Sequence, residues 1–162
     1  MNRYSLWMLI FCVSACIWGA TTCSYGLDAE QQAVIEAYKK PFEGYITAVN
    51  LLNQALQNAK TDADVVVAAD KFCDSANDFV DQFNDVRDRY RGSDILKSMD
   101  NDVDAKKSVN DLMSDLKKKM EDSKPTFDKL VAALNKYASS AGIKRVRDRL
   151  AATFQRVQLI TF

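Results

Sequence analysis

The chain contains no histidine, and that absence alone removes a good deal of chemistry. Neither a Ser-His nor a Cys-His nucleophile pair can be assembled. Helical bundles build paired-metal sites from Glu-x-x-His, and these cannot form; nor can haem attachment through Cys-x-x-Cys-His or a histidine axial ligand. Gly-x-Gly-x-x-Gly and Walker-type loops are missing too, so no segment is shaped to cradle a phosphate. Five glycines and two prolines are few for 162 residues, which disfavours a β-rich fold and favours long uninterrupted helices. Net charge is also lacking: 22 basic residues balance 22 acidic ones, which gives no ground for nucleic-acid binding. The chain is accordingly read as non-enzymatic, with no catalytic residue, cofactor or metal assigned.

Charge is absent from Tyr4 to Ala20, an apolar run that follows Asn2-Arg3 and leads into Thr21-Thr22-Cys23-Ser24-Tyr25-Gly26. A short basic start, an apolar middle and a small-residue exit describe an export signal over residues 1–26. Two processing routes fit the letters. Ordinary cleavage could follow Ser24 or Gly26. Alternatively, Val13-Ser14-Ala15-Cys16 matches a bacterial lipobox, in which Cys16 is acylated and becomes the N-terminus of a membrane-tethered lipoprotein. The run sits at the lower edge of what spans a bilayer, so a retained anchor is a third route. The expected location is secreted or periplasmic, outside the cytoplasm, with residues 27–162 as one helical domain.

The rest of the chain is organised around residues 62–91. There Val65, Ala69, Phe72, Ala76, Phe79, Phe83, Val86 and Tyr90 recur at spacings of 4 and 3, which places them on one stripe of a helix. Thr61 and Asp64 form a capping box at its start, and Gly92 supplies the left-handed residue that ends it. Before it, a helix opens at Asp28 with Gln31 as its capping partner. Its stripe is Val34, Tyr38, Phe42, Tyr45, Val49, Leu52 and Leu56. Pro41 interrupts that stripe without shifting its phase, which predicts a kink.

Ser93 or Asp94 caps a third helix carrying Ile95, Leu96, Met99, Val103, Val109, Leu112, Met113, Leu116 and Met120, with a local break expected between Asp100 and Lys107. Ser123-Lys124-Pro125 closes it and opens a fourth helix, since proline is tolerated in a first turn. The fourth stripe is Phe127, Leu130, Val131, Leu134, Tyr137, Ala138 and Ala141, ending at Ser139-Ser140-Ala141-Gly142. Beyond Gly142 it resumes out of phase as Ile143, Val146, Leu150, Phe154 and Val157, so Gly142 is a kink or the boundary of a short fifth helix. Segments 28–59, 62–91, 94–122 and 124–158 then make four rods of roughly 45 Å at 1.5 Å per residue. Short links between near-equal rods predict an all-α, up-down-up-down four-helix bundle.

Two weaker signals remain. Asp100-Asn101-Asp102-Val103-Asp104 has the spacing of a calcium loop, but Ala105 stands where the loop needs glycine and Asp111 where it needs glutamate. A solvated acidic face or a set of caps is the simpler reading. Cys73, beside Phe72, is expected as a buried thiol, unless a surviving Cys23 or a second chain pairs with it.

Charge is unevenly distributed despite its zero sum. Residues 27–141 carry 16 basic and 21 acidic groups, whereas residues 142–162 carry five basic and one acidic. Lys144, Arg145, Arg147, Arg149 and Arg156 flank the apolar positions of 143–158, making a basic amphipathic helix. Two expectations follow. The leading one is an interaction module of the cell envelope or secreted space that binds a protein partner through a bundle face, with the arginines tied to the acidic residues of 62–91. The alternative is a bundle that binds lipid or an anionic membrane surface through the basic helix 143–158.

Overall fold

A computed structural model describes residues 27–160, and every regular element among them is helical. The export segment 1–26, and Cys16 with it, lies outside the described residues. The elements are α1 (Ala29–Asn58), α2 (Asp62–Tyr90), α3 (Asp94–Met99), α4 (Val103–Asp122), α5 (Lys124–Lys136) and α6 (Ala141–Gln158).

The helix starts follow from local hydrogen bonding. The Asp28 carboxylate accepts from the Gln31 backbone N–H at 2.7 Å, and Gln31 Oε1 accepts from the Asp28 N–H at 3.2 Å. At α2, Thr61 Oγ1 accepts from Asp64 N–H, and Asp64 accepts in return from the N–H groups of Lys60 and Thr61, both at 2.9 Å. These backbone bonds to the charged form hold the Asp64 carboxyl below its ordinary value. Gly92 ends the α2 region at φ 72°, a conformation that other L-residues adopt only with strain. α1 passes through the buried Pro41 without interruption; the ring removes one N–H bond, to the Ala37 carbonyl.

α1 and α2 form an antiparallel pair joined by aromatic rungs. Tyr38 meets Phe83 at 5.6 Å between ring centroids, Phe42 meets Phe79 at 5.2 Å, and Tyr45 meets Phe72 at 5.9 Å. Numbers rise along α1 as they fall along α2. The tilted and edge-to-face angles are those that aromatic quadrupoles favour. The expected α2 stripe is buried from Val65 to Val86, with Tyr90 half-buried. Ala68, Cys73 and Val80 are buried as well. That face is wider than one stripe because α1 and α6 both pack on it.

The second half of the chain departs from the expected rods. α3 and α4 are separate helices: the chain breaks at Asp100–Asp102, where Asp102 accepts from the N–H groups of Asp104 and Ala105 as the N-cap of α4. The larger departure is at Ser123. The expectation that 94–122 and 124–158 run as two antiparallel rods does not hold, because α4 and α5 both run parallel to α1. Gln31 bonds Asp102 near the start of α4, Ile46 and Thr47 lie beside Leu116, Asn53 bonds Lys129, and Lys60 bonds Tyr137. The reason is local. Ser123 is at once the C-cap of α4 and the N-cap of α5, with helical φ −81° and ψ −12°. A residue left in the helical basin does not turn the chain around, and Pro125 removes only an N–H that a first turn leaves unpaired anyway.

The reversal falls instead at residues 137–140. Tyr137 leaves the helical region (φ −110°, ψ 29°) and Ser140 is extended (ψ 134°). Gly142 is therefore not the boundary; it lies in the first turn of α6. A β-carbon there would come within 3.2 Å of Val66 Cγ2, so the glycine serves the close approach of α6 to α2.

Candidate functional site: the α2–α6 seam

α6 carries all five basic residues singled out in the sequence, and its apolar side is already occupied. Ile143, Val146, Leu150 and Thr153 are buried, facing α2, while Phe154 and Val157 are half-buried against the same core. Phe154 stacks near Phe72 and Phe127, at 5.9 and 5.7 Å between centroids. These three rings join α2, α5 and α6 under the seam.

The charges line the exposed edge of that seam. Arg145 Nη2 donates to Asp70 Oδ2 at 2.5 Å, and Arg149 Nη1 donates to Asp70 Oδ1 at 2.9 Å. Arg149 Nη2 also donates to Asp74, so its guanidinium bridges two carboxylates one turn apart. Arg156 donates to Asp81 at 2.6 Å and to Asn77 Oδ1 at 2.7 Å. Arg147 points the other way, to the Leu134 carbonyl at 2.8 Å and Asn135 Oδ1 at 3.0 Å, and so ties α6 to the end of α5. Lys144 is exposed, with no partner among the described residues.

The pairs Asp70–Arg145, Asp74–Arg149 and Asp81–Arg156 share one separation, 75 residues. A constant separation means that α2 and α6 run parallel. It also supplies the signal that a sequence reading can use, since acids and arginines repeat the same spacing of 4 and then 7 in both helices. Asp70, Asp74 and Asp81 were not singled out individually from the sequence.

Electrostatics follow the geometry. Partial burial pushes the Asp70 carboxyl up, but the hydrogen bonds and charges of Arg149 and Arg145 outweigh this and leave it below the usual carboxylate value. The bonds to Asp70 and Asp74 raise Arg149 in turn. No family model, curated protein or solved structure matches this chain. The geometry must carry the functional reading by itself.

Behind the ladder lies the one cysteine of the described residues. Cys73 is buried and free. Burial pushes its thiol up, and a hydrogen bond with Thr153 only partly offsets this, so at neutral pH it is held in the less reactive thiol form. Thr153 is itself buried and accepts from Asn77 Nδ2 at 3.4 Å. Among the described residues, no buried side-chain nitrogen or oxygen lacks a partner.

The remaining candidates take structural places. Asp102, the centre of the calcium-like spacing, caps α4 through one oxygen and accepts from Gln31 Nε2 at 2.9 Å through the other. Among the described residues, no three potential metal ligands are grouped together, and no helix is long and apolar enough to cross a membrane. Clefts open to solvent among the described residues include one of about 200 Å³ between α1 and α4 and one of about 140 Å³ beside the end of α6 at Val80, Asn84 and Leu159.

Proposed function

We propose that the chain is an exported, non-enzymatic interaction module: an up-down-up-down four-helix bundle behind an N-terminal export signal, which binds a protein partner through an outer face in the envelope or secreted space. In this reading α1 and α2 are the first two rods, the series α3–α4–α5 is the third, and α6 is the fourth. The observation that supports it best is the α2–α6 seam. The apolar side of the basic helix sits on α2, and Arg145, Arg149 and Arg156 are engaged by Asp70, Asp74, Asn77 and Asp81. The most distinctive charged stretch of the sequence is thereby used to fasten the bundle. The missing histidine supports the non-enzymatic part of the reading.

The membrane-surface alternative needs the apolar side of α6 to leave α2 before it can enter a bilayer interface, and Arg145, Arg149 and Arg156 to exchange carboxylate partners for headgroups. Of the five basic residues, Lys144 is already exposed and unpaired among the described residues. Sedimentation with anionic vesicles separates the two readings. The expected result is no saturable binding at physiological salt, with Arg145→Ala and Arg149→Ala together lowering stability instead. Saturable vesicle binding that this double substitution abolishes would overturn the interaction-module reading. Export is tested by the intact mass of the chain recovered from medium and envelope. A mass beginning near Tyr25 or Leu27 fits ordinary cleavage, an acylated mass beginning at Cys16 fits a tethered module, and an unprocessed cytoplasmic chain refutes export.

A further inference from the structure

The six helices are unequally anchored. α1 buries eight residues and α2 ten, whereas α4 buries only Ala105 and Leu116 over 20 residues and α3 only Met99. Much of the α4 stripe is incompletely covered: Leu112 and Met113 are half-buried, and Val103 is 51% exposed. Val34, Met99 and Ala105, where α3 and the start of α4 meet α1, form a small cluster apart from the main core, which α4 joins through the buried Leu116 alone, with Leu112 and Met113 packed against it. The cleft of about 200 Å³ beside Leu116 thins the α1–α4 contact further.

Both ends of this segment are jointed. Gly92 stands at φ 72° before α3, and Ser123 links α4 to α5 without a side-chain capping bond to α5. α5, by contrast, is secured by the buried Leu130 and Leu134 and by the Tyr137 hydroxyl, which donates to the Lys60 carbonyl at 2.9 Å.

We propose that α3 and α4 form a strap that lifts from α1 as one unit, hinged at Gly92 and Ser123, while α1, α2, α5 and α6 stay folded. Local opening free energy tracks the apolar burial that opening forfeits, and for its length α3–α4 buries the least: Met99, Ala105 and Leu116 over helices of 6 and 20 residues, against Leu130 and Leu134 in the 13 residues of α5. Lifting the strap breaks the Gln31–Asp102 bond and uncovers the flank of α1 around Val34, Tyr38 and Ile46. The inference concerns motion alone and is independent of which face binds a partner.

Hydrogen exchange of the intact chain near pH 7 tests it. Amides of 95–120 should exchange as one block, on the order of 100-fold faster than the interior amides of α2 and α6. A maleimide should modify the thiol introduced by Leu116→Cys at a rate matching that block, while Cys73 in the same molecule stays unmodified. If 95–120 exchange together with α2 in a single global event, or α4 exchanges in a gradient from its ends, the strap does not exist. Exchange of the unaltered chain decides the question even if Leu116→Cys fails to fold.

Discussion

Replacing Arg149 by methionine keeps the length of the aliphatic stem and removes the charge that bridges Asp70 and Asp74. The side chain is 34% exposed, and so are its partners in part, at 22% for Asp70 and 65% for Asp74. An exposed ion pair contributes about 0.2–1 kcal/mol. Two pairs on one guanidinium, the one to Asp70 better sheltered than the other, should together contribute about 1–1.5 kcal/mol, with Arg145 still left to Asp70. Urea denaturation at pH 7 and moderate salt should therefore show Arg149→Met less stable by that amount, with an unchanged denaturant slope. The pH dependence has a definite sign. Asp70 is depressed in the folded chain, so its contribution is complete above its unfolded value near 3.9 and is lost as pH falls through the lower folded value. The deficit of the variant should thus be full at pH 7 and pH 5 and shrink below about pH 4. It should also shrink in 1 M salt, where the screening length falls to about 3 Å. A variant as stable as the parent at pH 7, or a deficit untouched by acid and salt, refutes the view that the ladder fastens α6.

Other substitutions probe other parts of the fold. Phe72→Ala removes a ring that touches Tyr45, Phe127 and Phe154 and should cost about 3–5 kcal/mol by denaturant titration. Val131→Ala, at an exposed α5 position, should stay within about 0.5 kcal/mol; equal effects would mean that the core is misplaced. Gly92→Ala meets no neighbouring atom, yet it must adopt φ 72°, so it should lower stability by about 1 kcal/mol through strain alone. A neutral result in thermal unfolding would mean that the turn relaxes. Cys73 should react with a thiol reagent only in denaturant, because it is buried and its thiol is raised. Rapid modification of Cys73 itself in the native chain, located by peptide mapping, would contradict its burial on α2 beneath α6.

What the sequence made legible was mostly local. The capping boxes at Asp28 and Thr61, the left-handed Gly92 and the α2 stripe are decided by neighbours within four residues, and each appears where spacing puts it. The break inside the third segment was visible as a weakened stripe, and Asp102 shows why it occurs there. Chain direction was not legible. Ser123-Lys124-Pro125 has the letters of a helix boundary, but a boundary reverses the chain only when a residue leaves the helical basin, and Ser123 does not. The true reversal, at Tyr137–Ser140, lacks glycine and proline; the end of the stripe over Ser139–Gly142 marks the place in the sequence, but nothing there says that the chain turns back rather than kinks. For the seam, the sequence offered acids on one helix and arginines on another without a register. The matched spacing of 70, 74 and 81 with 145, 149 and 156 is a signal only once the two helices are taken as parallel, and the expected bundle gave them that orientation without pairing residues.

The charges of the ladder leave its alignment undetermined. α2 also carries Asp78 and Asp85, so sliding α6 one turn along it would set Arg145, Arg149 and Arg156 opposite Asp74, Asp78 and Asp85, again three carboxylates. Coulomb attraction says which helix α6 should find and leaves open where along it to stop. That second choice falls to uncharged contacts of fixed shape: the buried Ile143, Val146 and Leu150, Gly142, whose missing side chain admits Val66, and Thr153, wedged between Cys73 and Asn77. A bulky residue at 142 would leave every arginine a partner to find and still put the helix in the wrong place.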